Sequence, residues 1–273
     1  MNYKMIYSDL DGTLLNSKKE ISNDNKEIIT KLGDVGIIFG IATGRIYPAA
    51  KIYAKELNLN SPIICCNGAL VVDPRNDHAV ISNAINNSKV KEIVNIIKKY
   101  DVYFHFYTID TIYAERSEYI IEYFKELSKG KAEDEKVKTV INSSVTDLIT
   151  EDMQIFKVGV FVDDSKKSNE MIEELQQIED ISAYKSLGHI FDIVAEGVDK
   201  GRALEQLGEL LNVKREEIMV FGDNENDINM IKYAGMGIAM ENSKDDVKAV
   251  SNYIAKTNDE DGVFYGVKNF IEL

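Results

Sequence analysis

The chain has 273 residues, a formal net charge of −14, 44% hydrophobic and 29% charged residues, and two cysteines. That length allows one large domain or two of ordinary size, with a core that needs no covalent staples. The negative charge argues against nucleic acid and anionic membrane surfaces as partners, but locally placed cations still permit a small anionic substrate.

In chain order, "KMIYSDL" (4–10) reads as a buried strand, and Ser22 caps a helix running to about Asp34. "GIIFGIA" (36–42) is a strand, Tyr47–Leu57 a helix, "PIICC" (62–66) a strand and "GALVVD" (68–73) a short extended piece. Apolar strands separated by amphipathic helices predict βαβ units and a parallel sheet. From Asn83 to His189 the rhythm changes. Lys89–Tyr100 is helical, and residues 101–115 form two strands joined at Ile109-Asp110. A helix near Glu118–Leu127, a charged loop (128–138), a strand (153–162), a helix at Lys166–Ile178 and a strand (181–186) follow. The parallel rhythm then returns: a helix at Lys200–Leu211, a strand "EEIMVFGD" (216–223), a helix at Glu225–Lys232 and a strand "GMGIAM" (235–240). A short helix "DDVKAV" (245–250) and a last short strand "NYIA" (252–255) complete the pattern. The predicted fold is α/β: a Rossmann-like parallel-sheet core from residues 1–82 and 190–273, with an inserted α+β domain at 83–189. Within the insert, Phe104 and Phe106 are expected to pack inward while His105 and Tyr107 face solvent.

No basic segment leads into a long apolar core at the start, and no apolar run approaches the roughly 20 residues of a membrane span. Cys65 and Cys66 are adjacent, poorly placed to bridge each other, and read as small buried hydrophobes. The expectation is a cytoplasmic protein in a reducing compartment.

The first strand ends in Asp9 and Asp11. Asp11-Gly12 alone is also a hairpin signal that would fold "TLLNS" back on the first strand. Two other strand ends favour a site. "GIIFGIA" runs into Thr43-Gly44-Arg45, and "EEIMVFGD" runs into Asp223 and Asp227. In an open parallel sheet these ends share one edge, where ligands bind. Two like charges about 4 Å apart repel by about 4 kcal/mol at an effective dielectric near 20, so such a cluster needs a counter-charge. Mg²⁺ suits a site of few carboxylates, several waters and a substrate phosphate, and Lys200 in "EGVDKGRAL" is a candidate second cation.

"DLDGTLL", "ATGR", "DKG" and "GDNEND", in this order, resemble the four motifs of the haloacid dehalogenase-like superfamily. "CCNGALVVD" and "EGVDKG" resemble its Cof-type subfamily, whose large α/β cap is inserted after the third core strand. The resemblance covers nearly the whole chain. It implies Mg²⁺-dependent phosphatase activity on a small phosphorylated metabolite, with a cap that closes over the site and contributes to specificity. It further implies Asp9 as nucleophile, Asp11 as general acid/base, and Lys200 steadying both nucleophile and phosphoryl group. Thr43, Gly44, Arg45 and Asn226 would lie at the phosphate, and Asp9, Asp11, Asp223 and Asp227 at or beside the metal. A phosphomutase using the same aspartyl-phosphate, and a phosphoryl-accepting signalling module, are the alternatives. A receiver-type module needs no insert of this size.

Overall fold

The structure is a computed structural model that describes residues 3–130, 136–185 and 189–273. The first elements are β1 (Met5–Ser8), α1 (Asn23–Asp34), β2 (Ile38–Ile41), α2 (Tyr47–Glu56), β3 (Ile63–Cys65), β4 (Leu70–Asp73) and β5 (His78–Ser82). They are followed by α3 (Asn87–Lys99), β6 (Tyr103–Tyr107), β7 (Thr111–Ala114), α4 (Ile120–Leu127), β8 (Lys138–Ile141), β9 (Lys157–Phe161), α5 (Ser165–Leu175), β10 (Ile181–Lys185) and β11 (Ile190–Ala195). The last are α6 (Lys200–Leu211), β12 (Ile218–Gly222), α7 (Ile228–Tyr233), β13 (Met236–Ala239), α8 (Asp245–Val250), β14 (Tyr253–Ile254) and α9 (Gly262–Phe270). The chain divides into two compact units: Met1–Arg45, Ala50–Ile81 and Asp199–Leu273 form one, and Ile46–Ala49 with Ser82–Val198 the other. Among the described residues, no helix is long and apolar enough to cross a membrane.

The first unit is built on a five-stranded sheet in the order β14-β13-β12-β1-β2, parallel throughout. All residues of β1 and β12 are buried, as central parallel strands with helices on both faces require. The crossover helix α1 starts where Ser22 Oγ accepts the Asn25 N–H at 3.1 Å, so the expected cap is the one that forms. β3 continues the sheet edge through a parallel bridge between Ala42 and Ile64, then turns back antiparallel into β4. Cys65 and Cys66 are both buried and form no disulfide with each other. Cys66 does not continue the strand: it begins a tight turn with φ 50°.

The second unit has a six-stranded sheet in the order β10-β11-β9-β6-β7-β8, antiparallel except between β7 and β8. β6 and β7 form the hairpin expected at Ile109-Asp110. β5, β8, β11 and α9 have no counterpart in the sequence-based expectations. β5 and β8 are short and largely exposed, so neither shows the long apolar run of a buried strand. Residues 131–135 of the charged loop, and Ser186 at the end of the expected last strand, lie outside the described residues.

One face of this sheet packs Phe104, Phe106, Val158, Val160, Phe191 and Ile193 against α3 and α5. The opposite face corrects the expectation for His105 and Tyr107. Neither faces solvent; they are 6% and 3% exposed. The reason is a set of matched neighbours. His105 lies over Gly159 in register, where an added Cβ would come within 2.4 Å of the ring. Tyr103 and Tyr107 flank the imidazole, and a buried Lys157–Asp192 ion pair (3.1 Å) lies on the next strands. Burial, and then the Lys157 charge, hold the His105 pKa well below its usual value.

His105 therefore stays neutral when folded, whereas in the unfolded chain it protonates near pH 6.5. Below that pH the unfolded state binds the extra proton, so stability falls as pH falls. Urea unfolding at pH 7.5 and 5.5 tests this: the wild type should lose on the order of 1 kcal/mol more than His105→Gln between the two. Equal losses would remove His105 as the cause.

Candidate active site

β1 hands the chain to Asp9 without breaking the sheet, since the Asp9 N–H donates to Phe221 O at 3.0 Å. The chain then coils. The Thr13, Leu14 and Leu15 N–H groups donate back to Leu10, Asp9 and Leu10 carbonyls, and Gly12 takes φ +87°. An added Cβ at Gly12 would come within 2.4 Å of Asp223 Oδ2. β1 pairs only in parallel, with β12 and β2, so Asp11-Gly12 is not a hairpin. It presses the loop onto the end of β12.

Three of the expected carboxylates meet there. Asp9, Asp223 and Asp227 each offer an oxygen, and these atoms lie within 4.8 Å of one another. Lys200, completely buried, donates to Asp9 Oδ1 at 2.6 Å and to Asp227 Oδ1 at 2.7 Å. It is aimed there by the start of α6, where Asp199 Oδ1 accepts the Arg202 N–H and fixes the helix entry. The second oxygen of Asp227 accepts the N–H groups of Asp223 and Asn224 at 2.9 and 3.0 Å. Asp227 thus orients both the lysine and the loop after β12. Asp223 Oδ1 accepts from the Thr13 hydroxyl at 2.8 Å.

Asp11 is not in this cluster. Its carboxylate accepts a two-pronged bond from Arg45, Nε at 2.6 Å and Nη2 at 2.7 Å, and a third from Lys19 at 2.8 Å. Thr43 is buried, and its hydroxyl accepts the Arg45 N–H at 3.2 Å. Asn226 donates to Asn67 Oδ1 at 2.9 Å. Thr13, Lys19 and Asn67 were missed by sequence reasoning. Thr13 carried a signal, as a hydroxyl directly after the glycine of the turn. Lys19 carried none.

The electrostatics separate Asp9 from Asp11. Burial raises the Asp9 pKa well above the ordinary carboxylate value; Lys200 opposes this, and Asp227, Asp223 and Asp11 add to it. Burial and then Asp227 push Asp223 up to about 7. Burial also acts on Asp11, but the Arg45 and Lys19 contacts outweigh it and hold its carboxyl down at about 2. One buried ammonium faces three carboxylates. The remaining negative charge, the hard oxygen donors and their spacing fit a small divalent cation.

The model of the haloacid dehalogenase-like hydrolase family matches residues 6–267, and the chain belongs to that family. It is 30% identical, over 98% of each chain, to the 5-amino-6-(5-phospho-D-ribitylamino)uracil phosphatase YitU of Bacillus subtilis. It is 26% identical to the pyridoxal phosphate phosphatase YbhA of Escherichia coli, over 96% of this chain and 97% of the other. A crystal structure of a haloacid dehalogenase-like hydrolase from Bacteroides thetaiotaomicron superimposes with a TM-score of 0.86 at 30% identity, covering 99% of this chain and 100% of that one. The mixed α/β fold with its parallel core is thus shared with that solved structure.

Removing the lysine isolates two buried acids. Lys200→Met should cost about 3–5 kcal/mol in urea unfolding at neutral pH, because breaking a buried pair leaves the partner charge uncompensated. A loss below about 1 kcal/mol would show that the ammonium does not hold the cluster together.

Proposed function

We propose that this chain, a phosphatase of the haloacid dehalogenase-like family, hydrolyses small organic phosphate monoesters through an aspartyl-phosphate on Asp9, with Mg²⁺ as cofactor. The observation that carries the reading is the buried Asp9 carboxylate, held by Lys200 beside Asp223 and Asp227. Asp9 attacks phosphorus, the bond to the substrate alcohol breaks, and the alcohol oxygen takes a proton. A water then attacks the acyl-phosphate, loses its proton to a base, and releases inorganic phosphate and free Asp9. Splitting the reaction in this way lowers a barrier that is otherwise very high.

Asp11, two residues away, is the proposed acid/base. Paired with Arg45 and Lys19 it is ionised, the form that accepts a proton from water. Protonating the alcohol requires it to hold a proton first, hence to turn away from Arg45. Lys200, the Thr43 hydroxyl and the Asn226 amide are the proposed contacts of the phosphoryl oxygens. Asp9 and Asp223, with Asp227 orienting from behind, would hold Mg²⁺. When bound, the ion neutralises the carboxylates and the charge of the transferring group. The proposed substrate is a phosphorylated cofactor or a sugar phosphate; the relatives' names, a phospho-ribitylaminouracil phosphatase and a pyridoxal phosphate phosphatase, support a small phosphorylated metabolite. Cytoplasmic placement is part of the same reading.

Hydrolysis of an aryl phosphate with and without Mg²⁺, by wild type and Asp9→Asn, is the test. Phosphate release should require the metal and fall by at least about 10³-fold in the variant. Turnover retained by Asp9→Asn would reject covalent catalysis at this residue. Interconversion of phosphate isomers without phosphate release would make the enzyme a mutase instead.

A further inference from the structure

Between β3 and β4 the backbone does something that side chains rarely permit. Cys66, Asn67 and Gly68 are consecutive residues with φ 50°, 58° and 99°. Non-glycine residues hold this left-handed region only where their surroundings over-determine it, and Asn is among the few that tolerate it. The surroundings here are the functional segments. The Cys66 N–H donates to Arg45 O at 3.0 Å, and the Asn67 N–H to Thr43 O at 3.1 Å. Gly68 lies against the start of α6, where an added Cβ would come within 2.2 Å of Asp199 O.

The Asn67 side chain is 1% exposed, and its Oδ1 accepts the Asn226 Nδ2 hydrogen at 2.9 Å. That oxygen also fills the place of a side chain at Gly44, since a Cβ there would lie 2.7 Å from it. A turn that needed only positive φ would need a glycine or any asparagine. It would not need the amide oxygen aimed at the loop after β12.

The geometry points to Asn67 as a positioning residue: it fixes the plane of the Asn226 amide, and its turn sets the register of Thr43–Arg45 against Lys200. With one Asn226 N–H directed to Asn67, the direction of the other is set as well. Gly44 is then required because Asn67 occupies its side-chain space. This deepens the phosphatase reading and rests on it for the purpose of the contact, not for the contact itself.

Asn67→Gly keeps the backbone conformation and deletes the acceptor. Gly44→Ala leaves Asn67 in place but drives a methyl into its oxygen. In the full-length chain, each should lower kcat/KM for an aryl phosphate about ten-fold, the scale of one hydrogen bond. Each should also speed solvent exchange of the Asn226 side-chain amide, read by NMR. The double variant should be no worse than Asn67→Gly, because the methyl then has nothing to displace. Losses that add, or an unchanged amide exchange, would overturn the assignment. So would a lowered Tm with unchanged kinetics. A wild type that turns over no phosphate would sink the phosphatase reading, while the amide exchange would still decide the role of Asn67.

Discussion

The Lys200 ammonium is completely buried, 2.6 Å from Asp9 and 2.7 Å from Asp227. Removing an ammonium and two carboxylates from water costs several kcal/mol per ion, and mutual attraction offsets this only when the geometry is good. That requirement constrains the rest of the core. Lys200 must begin a helix, so Asp199 must cap it. Asp9 must continue β1 beyond its last paired residue, so β12 must accept its N–H. Asp227 must reach back to the lysine, so its second oxygen gathers the N–H groups of the loop it leaves.

Burial on one side and the Arg45 and Lys19 cations on the other divide the acids into two chemical kinds. Asp9 and Asp223 lie in a buried pocket with more negative than positive charge, and burial favours their neutral forms. Asp11 is only two residues from Asp9, yet Arg45 and Lys19 keep it ionised. Acids pushed apart in this way can take different roles in one reaction. The Gly12 turn makes this separation possible, because it places residues 9 and 11 on the same loop but gives them different partners.

The inserted unit follows another rule. Its sheet has an apolar face on α3 and α5 and a second face that is polar in sequence yet buried. His105 over Gly159, between two tyrosine rings, and the Lys157–Asp192 pair form that face. Alternation in β6 reads as one wet side because period two reports which residues share a face, not what covers it. Only the neighbouring strands supply that information.

The sequence by itself determined the parallel core, the hairpin of the insert and the residues of the acid cluster. Apolar runs that lead into Asp9, Thr43 and Asp223 share one edge of a parallel sheet, and with Lys200 their order along the chain matches one family. A local signal also marked the start of α1, since Ser22 caps it through a bond to the residue three positions on; Asp199 caps α6 in the same way, but was not read from the sequence. Tertiary structure alone decided the pairings. Asp11 belongs to Arg45 rather than to the cluster, Thr13 belongs to Asp223, and Asn67 belongs to Asn226. These partners lie 34, 210 and 159 residues apart, so only the folded sheet edge brings them within hydrogen-bond distance.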